Sequence, residues 1–379
     1  MTNPLLIFII LLLSCKGTVN PPSGAPEELS EIYLDKIKLP EGFHIDIYAE
    51  DVTNARSMCY SPSGILYVGT RGGDKVYAIS DDDKNGKADK KYLLYDNGNM
   101  PNGVAYKDGD LYVAEVNRIL RFKDIDAHLD NPPTPEVVYD QYPNENHHGW
   151  KYIAFGPDGK LYVPVGAPCN ICESEDPIFN TISRLDVDTK QSEIVHQGIR
   201  NSVGFTWHPE TGHLWFTDNG RDWMGDDMPA CELNVAKTDN QHFGYPYCHQ
   251  GNLLDDEFGE GHSCDDYVSP AQNLGAHVAP LGLEFYTADQ FPSNYRNKVA
   301  FIAEHGSWNR SKKSGYVISM VTLDDNYDAV SYEPFAQGWL DATTDEAWGR
   351  PVDIEFLPDG SMLVSDDFAD AIYRITYSM

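Results

Sequence analysis

His148 and Arg200 each stand immediately ahead of an apolar segment that has no need of a charge. Asn102, His147, Asn201, the segment from His305 to Arg310, and Arg350 occupy the same kind of place, just before runs of alternating apolar residues. Taken singly, each is an ordinary solvated loop residue. If the runs behind them are equivalent strands of one repeated unit, however, these residues converge on one location. Arginines gathered in that way suit an anionic ligand with planar carboxylates or phosphate, because a guanidinium presents paired donors. A histidine beside them is the side chain best suited to take a proton near neutral pH.

Two further patterns bear on metals. Asp81-x-Asp83-x-Asn85-Gly86-x-x-Asp89 follows the first part of an EF-hand-type calcium loop. Tyr92 occupies the place of the closing bidentate Glu, and strands rather than helices flank the loop. The segment therefore reads either as a structural calcium clip or as an acidic hairpin turn. Of the seven cysteines, Cys15 lies in the N-terminal apolar region and six remain. Cys169 with Cys172, and Cys248 with Cys264, are plausible disulfides. Cys59 and Cys231 either pair or stay free. Zinc lacks a second closely spaced pair, and Glu173 stands where haem attachment needs a histidine.

The elements that position these groups come from a repeat. An apolar strand, a tight turn and a second apolar strand recur at Met58–Val68, Val104–Val113, Ile153–Val163, Phe205–Phe216, more loosely at Leu283–Ile302, and at Ile354–Val364. Turn glycines at 64, 109, 159, 212 and 360, with the fifth turn near Asn297, lie about 50 residues apart, a blade period. Pro and Asp set the turn entry and Gly supplies positive φ. The pattern predicts an all-β, six-bladed β-propeller, in which Gly42–Tyr48 closes the ring against the last blade. The longest interval holds an insert at about 221–280. Long insertions on one face commonly build a binding site.

The formal net charge is −31, from 59 acidic and 28 basic residues among 379. Such a surface repels phosphate backbones, so no nucleic-acid partner is expected. Leu5–Leu13 is an apolar run too short to span a bilayer. It ends in Leu12-Leu13-Ser14-Cys15 and resembles a lipoprotein signal, with an ordinary cleaved signal as the alternative. The expected organisation is a signal at 1–15, a flexible tether at 16–36 and a propeller at 37–379. The chain is then exported, periplasmic or on the cell surface, and touches the membrane only through a lipid on Cys15. Even cysteine numbering agrees with an oxidising compartment.

Longer motifs sharpen the reading. Gly198-Ile199-Arg200-Asn201, Trp207-His208-Pro209-Glu210-Thr211-Gly212 and Leu214-Trp215-Phe216-Thr217-Asp218-Asn219-Gly220 resemble the soluble pyrroloquinoline-quinone (PQQ)-dependent sugar dehydrogenases. His147-His148-Gly149-Trp150-Lys151, Gly166-Ala167-Pro168-Cys169, Cys231-Glu232-Leu233-Asn234, Phe243-Gly244-Tyr245-Pro246 and Glu304-His305-Gly306-Ser307-Trp308-Asn309-Arg310 resemble the L-sorbosone dehydrogenase-like branch. The resemblance implies PQQ and Ca²⁺ as cofactors, a sugar-derived alcohol or aldehyde as substrate, and an external quinone or cytochrome as electron acceptor. It implies His148 as general base, with Arg200 and Asn201 beside the quinone oxygens and Arg350 on a cofactor carboxylate. Asn309 and Arg310 stand in for the family's cofactor-binding lysine, and the backbone carbonyls of Gly220 and Arg221 ligate calcium. An Asp that supports the catalytic His in the glucose branch is Ala167 here, so Asn170 becomes the expected orienting group. A second arginine near Arg350 is replaced by Val352. A calcium-dependent lactonase-type hydrolase and a non-catalytic binding lipoprotein are the rival readings. The hydrolase needs several carboxylate or amide side chains pointing into the channel, where this sequence offers Arg and His.

Overall fold

The structure is a computed structural model and describes residues 31–378. Cys15, the signal and most of the tether lie outside the described residues. Each sequence repeat forms the inner two strands of a four-stranded antiparallel blade, and six blades make a β-propeller. The innermost strands are Ala55–Tyr60, Gly103–Lys107, Ala154–Phe155, Phe205–Trp207, Pro280–Phe285 and Pro351–Phe356.

Burial explains the sequence pattern. The second strands Leu161–Val165, Leu214–Asp218, Val299–Glu304 and Met362–Asp366 are buried along their whole length, because each is covered by blades on both sides. They read as unbroken apolar runs for that reason. An outer strand such as Lys90–Tyr95 is largely exposed and carries lysines. The first hairpin turn needs a left-handed residue: Gly64 has φ +95°, and in blade five Asn297 takes the same role at φ +57°.

Phe43–Ala49 pairs antiparallel with Ala371–Tyr377, Phe43 opposite Tyr377, so the first described strand completes the last blade. The ring of Phe43 packs against Phe291, Phe335 and Tyr377 at centroid distances of 4.8, 4.9 and 4.9 Å. The folded body begins earlier than the expected tether boundary. Tyr33 meets Trp348 edge-on at 5.9 Å, and Ile32, Leu34 and Ile37 pack on the core of blades five and six.

The insert is narrower than 221–280. Ala230–Ala236 and Gln272–Ala276 are the third and fourth strands of blade four. The excess chain between them contains the Cys248–Cys264 disulfide, and its Gln241–His242 segment adds a parallel strand to blade three. Cys169 and Cys172 are also bonded, while Cys59 and Cys231 are free.

Along the channel the inner strands change character. Val203, Leu281 and Val352 form a buried apolar layer with Trp150 and Tyr152 against it. Further along the same strands come Glu284, Asp353 and Glu355, whose carboxyls burial holds above their usual range. Val352 belongs to the apolar layer. Among the described residues no helix is long and apolar enough to cross a membrane.

Candidate active site

At one end of the channel a cavity of about 360 Å³ is lined by His148, Arg200, Asn201, Gly220, Asn309 and Arg350. Blades three to six thus bring these sequence-predicted residues together. The cavity also takes in Arg56, Arg71, Trp150, Asp222, His305 and Trp308.

His148 sits in a left-handed backbone conformation, φ +52°, that a non-glycine residue adopts only under local constraint. Gly166 permits its approach, since a Cβ at that position would lie 2.6 Å from the Cβ of His148. Nδ1 of His148 lies 2.9 Å from the carbonyl oxygen of Ala167. A carbonyl only accepts, so Nδ1 carries the proton and Nε2 is left as the basic nitrogen. Burial, then the charges of Arg200 and His147, hold this imidazole well below its usual range, so it is neutral. The orienting group is therefore a backbone carbonyl, and Asn170 serves elsewhere. Its Oδ1 accepts from Arg200 Nη2 and from the Asp222 amide, each at 2.8 Å.

Arg200 is buried and fully engaged. Nε donates to the Asn170 carbonyl at 2.8 Å and Nη1 to the Asn219 carbonyl at 3.1 Å. Asp218, buried beneath, accepts the backbone amides of Arg200 and Asn201 at 2.9 and 2.6 Å and fixes that turn. Arg350 donates to the carbonyls of His305 and Gly306 at 3.0 and 2.8 Å, and to no carboxylate. Asn309 donates to Asp222 at 2.6 Å, while its Oδ1 is buried with no partner.

Arg310 departs from expectation, and Arg221, expected to offer only its backbone carbonyl, commits its side chain elsewhere. Arg310 does not line the cavity: it donates to the Asp226 carbonyl at 2.9 Å and pairs with Asp227 at 2.5 Å. Arg221 does not line it either, and its side chain turns into the insert to bind Asp255 at 2.6 Å and Glu257 at 3.0 Å. A guanidinium committed to two carboxylates anchors the insert, which leaves only backbone for a metal.

Arg71 was not anticipated. Its guanidinium lies 3.7 Å over the Trp150 ring, and among the described residues no hydrogen bond or ion pair satisfies it. Burial, with Arg56 close by, pushes it down to about 10. Arg56 is itself paired with Asp367 at 2.6 Å, and Asp367 accepts from His305 at 2.7 Å. Arg71, His305, Gly220 and Asp367 all follow the second strand of a blade. That strand runs back toward the cavity, so its exit reaches the same mouth as the entry to the innermost strand. Gly220 and His305 were named from the sequence; inspecting both junctions would also have found Arg71 and Asp367.

The residues fit a polyanionic quinone. An unpaired guanidinium, the unpartnered Trp150 Nε1 and the unpartnered Asn309 Oδ1 line one cavity and call for a ligand rich in both acceptors and donors or cations. Away from the cavity, carboxylate oxygens of Asp81, Asp83 and Asp89 come within 4.8 Å of one another. Asn85 does not join them: its Nδ2 donates to Asp83 and its Oδ1 accepts the Lys87 amide.

Comparison with known proteins follows from this geometry. The model of the DUF7133 family, described as a domain of unknown function, matches residues 30–374. An uncharacterized protein of Borreliella burgdorferi is 32% identical over 390 residues, covering 100% of this chain and 99% of its own. A PQQ-dependent sugar dehydrogenase of Hypocrea jecorina is 27% identical over 164 residues, 34% of this chain and 36% of that one. Among solved structures, a Trichoderma reesei enzyme of carbohydrate-active enzyme family AA12 superposes with a TM-score of 0.78 at 21% identity, covering 90% of this chain and 97% of that one. The PQQ domain of a Coprinopsis cinerea pyranose dehydrogenase gives 0.76 at 17%, with 90% and 97% covered. The PQQ-bound aldose sugar dehydrogenase of Streptomyces coelicolor gives 0.64 at 18%, with 90% and 100% covered. At these identities the likeness shows the fold.

Proposed function

We propose an activity for this chain, which belongs to the DUF7133 family: it is an oxidoreductase that oxidises a sugar, or a sugar-derived alcohol or aldehyde, with PQQ and Ca²⁺. The observation that carries the reading is a neutral, carbonyl-oriented His148 in a cavity with more arginine charge than its own carboxylates balance. Likeness to folds named as the PQQ domain of a pyranose dehydrogenase and a PQQ-bound aldose sugar dehydrogenase supports it.

Arg71, Arg350 and Asn309 would hold the cofactor's carboxylate rim, Arg200 and Asn201 its quinone oxygens, and the backbone at Gly220 and Arg221 the calcium. When bound, the quinone supplies the hydride acceptor and calcium the Lewis acid. Nε2 of His148 takes the proton of the substrate hydroxyl, or of an aldehyde hydrate, as the carbon gives up its hydride. Arg200, immobilised by three acceptors, keeps a fixed positive charge where oxyanion charge develops. Trp150 and Arg71 form one wall and limit water around His148. The electrons pass on to an external quinone or cytochrome.

Export as a lipoprotein on Cys15, periplasmic or at the surface, is part of this proposal. The two disulfides support a compartment where thiols oxidise. The 81–89 hairpin is assigned a structural calcium. The hydrolase reading is disfavoured because Asp222, Asn201, Asn219 and Asn309 share the cavity with Arg56, Arg71, Arg200 and Arg350, while Glu284, Asp353 and Glu355 stand beyond the apolar layer. Adding PQQ with CaCl₂ to the purified protein tests the proposal. Saturable binding and an absorption band bleached by aldoses are expected. Absence of bleaching, with lactone hydrolysis in the same preparation, would sink it.

A further inference from the structure

Trp223 and Trp308 are each 68% exposed, more than any other large apolar side chain among the described residues. They come from loops far apart in sequence yet meet edge to face, with centroids 5.5 Å apart and rings at 89°. Trp308 lines the mouth of the cavity that holds His148.

These rings are held in place rather than left loose. Asn309 beside Trp308 binds Asp222 beside Trp223 at 2.6 Å. Arg310 bonds the Asp226 carbonyl at 2.9 Å, and the Ser311 amide bonds Asp226 at 3.1 Å. Trp223 itself sits at φ +72°, a left-handed conformation that a bulky residue keeps only when its surroundings impose it. Two loops are thus tied together, with backbone strain, to present two aromatic rings to solvent. Exposed apolar surface fixed at the rim of a polar pocket marks a binding site.

The geometry points to an outer sugar subsite: we infer that the substrate is a neutral oligosaccharide whose terminal unit reacts at His148 while the next ring stacks in the corner formed by Trp223 and Trp308. The inference rests on the dehydrogenase reading and deepens it. One ring offers a face and the other an edge, a step that matches the apolar CH face of a pyranose. Asp227, with 84% of its side chain exposed, is held by Arg310, two residues from Trp308, and its carboxylate offers acceptors to sugar hydroxyls. The acidic rim and the net charge of −31 disfavour an acidic glycan or an anionic protein in this place.

The test is binding to the full-length chain without added cofactor. Cellobiose, maltose, lactose and glucose are titrated by calorimetry, with tryptophan emission recorded in parallel. At least one disaccharide is expected to bind about tenfold tighter than glucose and to shift the emission of exposed tryptophan. Trp308→Ala and Trp223→Ala each abolish that preference, while Trp308→Phe keeps most of it; circular dichroism verifies that the variants fold. Equal affinity for glucose and every disaccharide, or a preference that survives Trp308→Ala, overturns the subsite. Sugar oxidation with PQQ but no disaccharide preference leaves the dehydrogenase standing and removes only this inference.

Discussion

The chemistry of the site turns on two side chains that the fold treats in opposite ways. His148 has its Nδ1 committed to the Ala167 carbonyl and its charge suppressed by burial and Arg200. His148→Gln keeps the shape but removes the base. We expect kcat to fall by ~10²–10⁴ with quinone affinity within a few-fold of the parent. An unchanged kcat in reconstituted protein would remove His148 from the mechanism. Arg71 is the reverse case, a cation with no partner. Arg71→Leu is expected to weaken PQQ binding by ~10–100-fold, the scale of a lost charged hydrogen bond, measured by equilibrium titration. His148 was legible because it lies in the segment that leads into an innermost strand, Ala154–Phe155. Arg71 was not, because it follows a second strand, and only the three-dimensional return of that strand shows where it ends. Asn170 was misread for a related reason: sequence proximity suggested His148, while backbone geometry delivered it to Arg200.

At the scale of elements, turns carried the most information. The hairpins at Gly64 and Gly360 and the irregular one at Asn297 all adopt positive φ, and a turn that demands such a residue limits what can occupy it. The strands were readable because two covered faces require continuous apolar runs. The later strands of a blade were harder: Gln272–Ala276 is largely half-buried, and Ala230–Ala236, though buried, carries Glu232 and Asn234 in place of a continuous apolar run, so both were absorbed into the insert. The hairpin joining Val76–Ser80 to Lys90–Tyr95 carries a prediction of its own. Three carboxylates within 4.8 Å repel one another unless a cation intervenes. Calcium at millimolar concentration should raise Tm relative to chelator, and Asp83→Asn should abolish most of the difference, as read by differential scanning calorimetry. An identical Tm in both conditions would leave the hairpin as a plain acidic turn.

The whole molecule is an acidic shell around a basic pit, with buried acids deeper in the channel and between blades. Burial raises Glu284, Glu304 and Asp353 to about 7 and Glu232 to about 8. A carboxyl raised in the folded state stabilises the fold fully below its unfolded value and loses that contribution as pH rises through the folded one. His196 and His305, lowered to about 4, act oppositely, and their contribution is complete only above the ordinary imidazole value of 6.5. Between pH 6.5 and 8 the unfolded histidines lose their remaining charge and Lys151, lowered by burial to about 7, also opposes, but the four raised carboxyls outweigh them and decide the sign. Tm should fall across that interval, and Glu304→Gln should flatten the slope. A Tm that climbs from pH 6.5 to 8 would contradict these assignments.

The apolar layer of Val203, Leu281 and Val352 has a consequence for traffic. It stoppers the channel behind His148, which makes the cavity a blind alley with one door. Under the proposed dehydrogenase function, the sugar and the electron acceptor must then queue at the same threshold, one leaving before the other arrives. Steady-state rates should give parallel double-reciprocal lines, with sugar and acceptor each inhibiting when in excess; intersecting lines would mean a second way in.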